Sequence, residues 1–395
     1  MPPARPSALD LFAVTAPGLE PLARTELVAL RTAGARVDEG GVAFGGGLEA
    51  AMRANLWLRT ASRVLVRVAE FDVTTFHAME RFARQIPWER YVGAGRPVRF
   101  RVTCRKSKLY HSDAVAQRLA DALDRRLGGG ARVAPPPAAP EDDAAAEGDA
   151  EGDAEAQLFV VRLFRDRCTI SADTSGALLH RRGYRQAVAK APLRETLAAA
   201  MLAGSGWTPA APLVDPLCGS GTVAIEAARW ARRIAPGAAR GFAFEQWPAF
   251  DAARWRALVD EARAGELAAA PCPIRASDRD EGAIEAARSN AERAGVASSV
   301  EFAVLPVSAV TPPDGGVPGW VVANPPYGVR VGERERLRNL YVALGNLLRT
   351  RFPDWTAAFL VADRMLGDQL RLPLADALTT TNGGIPVRLA VARVE

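Results

Sequence analysis

Two short segments carry residue types that could bind a ligand and act on it. The first, residues 212–228, reads as an apolar strand, a tight glycine turn and a helix, with Asp215 ending the strand and Gly219 and Gly221 in the turn. Glycine lets the backbone approach a ligand closely, and the free N–H groups at the start of a helix can face that ligand. The pattern predicts a binding loop that would suit several ligand classes.

Three ligand classes use loops of this kind. A phosphate-binding P-loop is excluded because it needs a Gly-Lys pair, and the chain contains none. A dinucleotide loop is allowed by the two glycines followed by Ala224, but it expects a ribose-binding acid about 20 residues on. The next strand-end acids are Asp278 and Asp280. A carboxylate at Asp215 suits an ammonium or a loop amide, which favours a ligand that carries an amino acid.

The second segment, residues 321–328, ends a predicted buried strand in Asn324-Pro325-Pro326-Tyr327. Proline locks its own φ and favours an extended residue before it, so this turn should hold the asparagine amide and the tyrosine ring rigidly. A purely structural turn would explain the prolines but not their neighbours. Because ligands bind outside the carboxyl ends of parallel strands at the switch point, Asp215 and Asn324 are expected to flank one site.

The elements that must position these segments differ between the two halves of the chain. From Ala191 onward, apolar strands alternate with amphipathic helices, which predicts a parallel, doubly wound α/β sheet and a domain over residues 186–395. Two α+β units are predicted before it, over residues 1–72 and 73–185. The expected strands are 11–14, 41–44, 63–71, 98–103, 158–164 and 168–173, and the expected helices follow Gly18 and cover 48–58, 75–85 and 113–127.

Residues 128–157 interrupt the second α+β unit. The segment is rich in Ala, Pro, Gly and acids, with eight acids and no base between residues 141 and 155. It has too little apolar surface to fold, so a disordered acidic insertion is expected.

Outside that insertion the chain is strongly basic, although its net charge is only +5. A basic globular body suits a polyanionic partner. Cations concentrate between residues 96 and 108, beside Tyr110 and His111, and a solvated basic edge is the alternative interpretation. In a strand, Arg99 and Arg101 share one face. The candidate nucleic-acid contacts are Arg96, Arg99, Arg101, Arg105, Lys106 and Lys108, with Arg181, Arg182 and Arg185 further along.

Metal, disulfide and membrane functions are not expected. The four cysteines lie 50 or more residues apart with no CxxC pair, and the three histidines are scattered. No apolar run approaches the ~20 residues that span a bilayer, and no signal peptide is evident. We therefore expect a cytoplasmic protein with reduced cysteines, whose oligomeric state the sequence leaves open.

Taken together, the glycine loop and the Asn-Pro-Pro-Tyr turn resemble class I methyltransferases of the N-P-P-[FYW] type, which methylate planar exocyclic amines. Residues 180–185, 191–200 and 215–222 are similar to bacterial 23S rRNA guanine-N2 methyltransferases with an N-terminal THUMP domain, and Ala16-Pro-Gly-Leu-Glu20 resembles their start. The resemblance runs over nearly the whole chain. Longer members carry a second methyltransferase domain, which this sequence, ending at Glu395, is expected to lack.

The resemblance implies a Rossmann-like methyltransferase sheet behind a ferredoxin-like and THUMP region, S-adenosylmethionine as cofactor, and RNA, first of all 23S rRNA, as substrate. It places Asp278 at the ribose, and Asn324, the Pro325 carbonyl and Tyr327 at the target base, with Pro326 completing the turn. The RNA contacts that it implies are the cations above. The remaining implied cofactor contacts are Asp215, Pro216, Cys218, Gly219, Gly221, Thr222 and Asn324.

One departure and several alternatives stay open. The family has an acid after residues 300–302 that contacts the cofactor's adenine, whereas this chain has Pro306, so Ser308 or backbone groups would have to replace it. Alternative functions are a tRNA guanine-N2 methyltransferase and a catalytically inactive RNA-binding or assembly factor. DNA adenine or protein glutamine methylation and an NAD-dependent oxidoreductase fit the sequence less well.

Overall fold

The chain forms two compact units in a computed structural model that describes residues 8–134, 156–185, 193–327 and 334–395. The first comprises residues up to 15, 23–179 and 240–259, and the second comprises 16–22, 180–239 and 260–395. The strands are β1 (Leu9–Thr15), β2 (Ala33–Asp38), β3 (Gly41–Gly46), β4 (Ala61–Asp72), β5 (Val98–Arg105), β6 (Gln157–Phe164), β7 (Arg167–Asp173), β8 (Leu213–Asp215), β9 (Ile274–Asp278), β10 (Glu301–Val304), β11 (Trp320–Ala323), β12 (Thr356–Val361), β13 (Ala375–Asn382) and β14 (Ile385–Arg393). The helices are α1 (Glu20–Ala29), α2 (Leu48–Trp57), α3 (Phe76–Ala83), α4 (Ser112–Arg126), α5 (Glu195–Gly204), α6 (Thr222–Ala231), α7 (Ala252–Ala264), α8 (Glu281–Arg293), α9 (Arg334–Arg351) and α10 (Arg364–Asp368).

The first unit is built on one seven-stranded sheet in the order β2-β3-β1-β4-β7-β6-β5. Every strand predicted there is present, and β2, which carries no clear apolar alternation, is the strand that the sequence did not indicate. The sheet joins strands of both predicted α+β units, and residues 240–259 group with it. The three-part division of the chain therefore stays a prediction.

Strand β5 lies at the edge of this sheet, where it pairs in parallel with β6 along its whole length. On its other side, Val98 forms an isolated parallel bridge with Val133: its N–H donates to the Arg132 carbonyl and its carbonyl accepts from the Ala134 N–H. The expected disordered insertion, 128–157, is therefore too wide, because residues 132–134 pair with Val98 and Gln157 already begins β6. Residues 135–155 lie outside the described ranges.

The second unit contains the predicted α/β sheet, in the order β10-β9-β8-β11-β12-β14-β13. Strands β10, β9, β8, β11 and β12 are mutually parallel, as expected. The sheet is not parallel throughout, because β14 runs antiparallel to both β12 and β13. Two strands joined by a two-residue turn can only pair antiparallel, so the final hairpin makes the sheet mixed.

Helices cover both faces of this sheet. Alternate residues of a strand point to opposite faces, and in β11 Val322 belongs to one buried apolar cluster while Val321 and Ala323 belong to another. The first cluster takes its helical side chains from α5, α6 and α8, and the second takes them from α9 and α10. The unit is thus a doubly wound three-layer sandwich whose parallel strands all end at the same edge.

Candidate functional site

A cavity of about 1120 Å³ opens at the carboxyl ends of the parallel strands in the second unit. Its lining includes residues directly after β8, β9 and β11, together with side chains of α9 and the turn between β13 and β14. Open α/β sheets bind their ligands at this edge. The predicted site segments around Asp215, Asp278 and Asn324 are therefore brought together by neighbouring strands, in the order β9, β8, β11.

The glycine loop connects β8 to α6 and is tied to the end of β9. The backbone N–H of Cys218 donates to the Ser277 carbonyl at 3.0 Å, and that of Gly219 donates to Asp278 Oδ2 at 3.0 Å. Gly219 and Gly221 have φ of +50° and +85°, in the left-handed region that glycine tolerates. A Cβ on Gly221 would lie 3.0 Å from the Ala287 Cβ, whereas one on Gly219 would meet nothing within 4 Å. Gly221 thus permits helix packing, and Gly219 leaves open space.

Asp278 is a cavity residue whose two oxygens are oriented by the backbone. Oδ2 accepts from Gly219 as described, and Oδ1 accepts from the Asp280 N–H at 3.1 Å. A carboxylate oxygen has two lone pairs, so each oxygen keeps one for a further donor. A pair of vicinal hydroxyls, as on a ribose, supplies two such donors.

Asp215 lies beside the cavity but is buried, with 1% of its surface exposed. Its Oδ1 accepts the Leu217 N–H at 3.2 Å, which is the loop amide that the sequence suggested as one of two partners. Burial raises the pKa of Asp215 to about 8, and the nearby charge of Asp278 acts in the same direction. From this loop, Pro216 and Leu217 line the cavity.

Thr222, expected to contact the cofactor, is instead engaged by the protein. It is buried at the first position of α6, and its hydroxyl accepts from Arg185 Nη2 at 3.0 Å. Cys218 is also buried. Neither of these two side chains lines the cavity.

The Asn-Pro-Pro-Tyr turn follows β11, and all four of its residues line the cavity. Asn324 Oδ1 is buried and has no hydrogen-bond partner among the residues that the structure describes. A buried carbonyl oxygen without a partner costs free energy unless a ligand donor reaches it. Tyr327 is half-buried and accepts a short hydrogen bond from Asn382 Nδ2. The turn therefore presents an unused acceptor and an aromatic ring to the cavity.

The segment after β10 forms another part of the lining. Pro306 precedes a short 3₁₀ turn, Val307–Ala309, and the cavity is lined by Pro306, Val307 and Ser308. Ser308 is exposed, so its hydroxyl is available in place of the acid that the sequence lacks here.

Several cavity residues were not indicated by the sequence. Asn382 is the last residue of β13, 55 residues after Tyr327, and no motif marks it. Three arginines also line the cavity: Arg194, Arg279 and Arg336. Arg279 follows Asp278 directly, as a cation at a strand end. Arg194 directly precedes α5 and Arg336 lies on α9, two elements that only the tertiary structure brings here.

Two of the three cations predicted near residue 180, Arg182 and Arg185, are engaged by other residues of the second unit. Arg182 is among the largest fully buried side chains, and its Nε lies 3.8 Å from Glu226 Oε1. Arg185 donates to the Leu193 carbonyl at 2.6 Å and lies 3.3 Å from Glu195. The prediction of Arg182 as an RNA contact is therefore wrong, because water and RNA cannot reach it. Arg181 is exposed.

The basic cluster of the first unit is placed as a surface feature. Arg99 and Arg101 are partly exposed on the face of β5 opposite to buried Val98 and Phe100. The turn after β5 is more open. The exposed side chains of this part are Arg105 at the end of β5 and then Lys106, Lys108, Tyr110 and His111.

Within the described ranges, none of the helices is both long and apolar enough to cross a bilayer. The same ranges contain no group of three or more His, Cys, Asp or Glu side chains placed to hold a metal ion. The four cysteines are free thiols.

A parallel five-stranded core extended by an antiparallel hairpin, with its cavity at the carboxyl edge, is the class I methyltransferase fold. Residues 182–390 match the family model described as RMKL-like, methyltransferase domain, and residues 10–65 match the RlmL ferredoxin-like domain. The chain belongs to the RMKL-like methyltransferase family.

Individual relatives agree with that assignment. A Synechocystis protein, slr0064, whose RNA methyltransferase name is provisional, is 35% identical over 96% of this chain and 95% of its own. The ribosomal RNA large subunit methyltransferase K/L of Syntrophotalea carbinolica is 37% identical over 96% of this chain. This chain spans 53% of that relative's length. Among solved structures, SMU.472 in complex with SAH is 29% identical and superposes with a TM-score of 0.84 over 98% of both chains.

The raised pKa of Asp215 predicts a pH-dependent stability. Between about pH 4, where an unfolded Asp titrates, and pH 8, the folded unit retains a proton that the unfolded chain has lost. The free energy of unfolding therefore falls as the pH rises from 4 to 8. The contribution of protonated Asp215 is fully present below pH 4 and is lost once the pH has risen through 8. Asp215→Asn keeps the acceptor for the Leu217 N–H but cannot ionise, so its melting temperature should fall less between pH 5 and pH 9. Thermal unfolding of the ligand-free protein across that range measures this, and equal slopes for both proteins would contradict it.

Proposed function

We propose that this protein transfers a methyl group from S-adenosylmethionine to the exocyclic N2 of a guanine in RNA, with 23S rRNA as the expected substrate. Family membership supports methyl transfer, and relatives named as ribosomal RNA large subunit methyltransferases support the RNA. The crystal structure of SMU.472 with SAH supports the cofactor class. The observation that carries the choice of an amine is the unpaired Asn324 oxygen in the cavity.

The chemistry needs orientation more than it needs a base. A guanine N2 lone pair is delocalised into the ring and is a poor nucleophile, while the sulfonium of S-adenosylmethionine supplies an electrophilic methyl. Asn324 Oδ1 and the Pro325 carbonyl can each accept one N–H of the amine. Two acceptors in fixed positions favour a pyramidal nitrogen and stabilise the charge that develops on it. As the N–CH3 bond forms and the S–CH3 bond breaks, the nitrogen becomes cationic, and it returns to neutrality by releasing one of its two N–H protons to solvent. Reacting atoms held at about 3–3.5 Å react far faster than free ones.

The cofactor would lie between the glycine loop and the end of β9. Asp278 is available to ribose hydroxyls, and Pro216 and Leu217 form the adjoining wall. The open space beside Gly219 admits a ligand close to the backbone. Ser308 would take the adenine end, next to Pro306. Tyr327 would stack on the target base, a contact worth roughly 1–3 kcal/mol, after the base leaves its helical stack.

RNA capture is assigned to the β5 edge of the first unit. The cluster places cations beside Tyr110, a residue that is 67% exposed, and the tyrosine ring contacts the His111 ring in a tilted arrangement with centroids 4.1 Å apart. Exposed aromatics beside cations suit a single-stranded nucleic acid, since bases stack on the rings while phosphates meet the charges. The cluster occupies one strand and the segment directly after it, and its most exposed cations are Arg105, Lys106 and Lys108.

The function is tested by methyl transfer from labelled S-adenosylmethionine to unmodified 23S rRNA and, separately, to unmodified tRNA, with nucleoside analysis of the product. We expect N2-methylguanosine in the rRNA. Label in tRNA alone would keep the chemistry and change the substrate. Intact cofactor binding without label in either RNA would contradict the substrate assignment, and absent cofactor binding would favour an RNA-binding factor.

Asn324→Ala should lower kcat in that assay by about 10²–10³-fold, because one acceptor for the reacting amine is lost. The Kd for S-adenosylmethionine, measured by calorimetry, should change little. Asn346→Ala is the matched control, since Asn346 is exposed on α9 and does not line the cavity. An unchanged kcat for Asn324→Ala would remove its assigned role.

The β5 edge is tested by the salt dependence of RNA binding. Replacing Lys106 and Lys108 with Gln should reduce the slope of log K against log salt by roughly 1.4 to 1.8, because two phosphate contacts are lost. The paired control replaces Arg36 and Arg256, two exposed cations of the same unit that lie outside the cluster. If both double variants change the slope equally, the effect is one of net charge and not of this surface.

A further inference from the structure

The hydrogen bond between Asn382 and Tyr327 connects two parts of the second unit that are far apart in sequence. Asn382 is the last residue of β13, and its Nδ2 donates to the Tyr327 Oη. Both side chains are half-buried, and both line the cavity. We infer that Asn382 is a positioning residue that fixes the Tyr327 ring for the target base; this inference rests on the proposed function.

Geometry explains why a bond to the hydroxyl would matter. The backbone of Tyr327 is set by the two prolines before it, but its ring can still swing about χ1. The hydroxyl lies at the far end of the ring, so a hydrogen bond there stops that swing. Rotation about χ2 leaves the hydroxyl in place and is restrained by packing against the apolar cluster that contains Val322 and Leu389. The ring is therefore held at both ends.

Asn382 is itself held by a rigid element. It pairs with Ile385 across a two-residue turn of Gly383 and Gly384, whose φ values are +56° and +80°. Two positive φ values are typical of the type I′ turn, which matches the twist of the two strands and gives a tight hairpin. The amide consequently projects from a fixed point at the end of the hairpin, so the bond can orient the ring rather than follow it.

The hydrogen bond from Asn382 can be detected through the pKa of the Tyr327 phenol. Burial raises the pKa of the Tyr327 phenol, and the amide donor of Asn382 lowers it. Asn382→Ala removes the donor, so the pKa of Tyr327 should rise further. Asn382→Asp keeps the shape, but its carboxylate only accepts hydrogen bonds and adds negative charge, so the rise should be larger. Phenolate absorbance, taken as the difference from the matching Tyr327→Phe variant, follows this one group.

A double-mutant cycle tests whether Asn382 acts through the tyrosine. Asn382→Ala should lower kcat/KM for 23S rRNA by roughly 2- to 12-fold, the range expected for one hydrogen bond. Tyr327→Phe keeps the ring and loses only the hydroxyl, so it should give a similar loss. The double variant should be no worse than Tyr327→Phe alone, and the Kd for S-adenosylmethionine should be unchanged throughout. Melting temperatures show whether each variant is folded. Asn346→Ala is the matched control and should keep the wild-type kcat/KM.

Each outcome has a separate meaning. Losses that multiply in the double variant, or a wild-type kcat/KM for Asn382→Ala, would overturn the inference while leaving methyl transfer established. An unchanged phenol pKa in both Asn382 variants would also overturn it, and this readout needs no RNA. If the wild-type protein transferred no methyl group to either rRNA or tRNA, the proposed function itself would be overturned.

Discussion

The arrangement of the site depends on the hydrogen-bond register of one short strand, β8, between β9 and β11. Asp215 pairs with Ala276 of β9, and Val214 pairs with Val321 of β11. Adjacent strands lie about 4.8 Å apart, so the residues that follow the three strand ends must share one narrow edge. The glycine loop, Asp278 and Asn324 meet there, because backbone pairing leaves them no other position.

Buried polar contacts connect the segment 180–185 to α6, the helix that follows the glycine loop. The segment 180–185 supplies them: Tyr184 donates to Glu226 Oε1 at 3.0 Å, and Arg185 bonds to the Thr222 hydroxyl. Burial raises the pKa of Glu195 to about 7, and Arg185 beside it opposes that rise. A buried ion pair of this kind stabilises little by itself, but removing one partner leaves a charge without compensation.

The two units carry complementary properties within the proposed reaction. The first presents exposed cations and an exposed tyrosine on an edge strand and in the segment after it, which suits binding to a flexible polyanion with little sequence discrimination. The second presents a cavity whose polar groups are fixed by prolines, backbone amides and a tight hairpin. Binding tolerates loosely held side chains, whereas methyl transfer needs atoms placed to within a fraction of an ångström. The rigid elements accordingly surround the cavity.

The sequence by itself determined that the strands around the glycine loop run parallel, that Asp215 and Asn324 end strands at one edge, and the strands of the first unit except β2. It could do so because those features are local: a strand end, a glycine turn and two prolines restrict the backbone wherever they occur. Only the tertiary structure decided that Arg182 is buried against Glu226, that the last hairpin makes the sheet mixed, and that Asn382 reaches Tyr327. Burial and side-chain pairing depend on which distant elements pack together, and no local pattern around residue 182 or 382 specifies that packing.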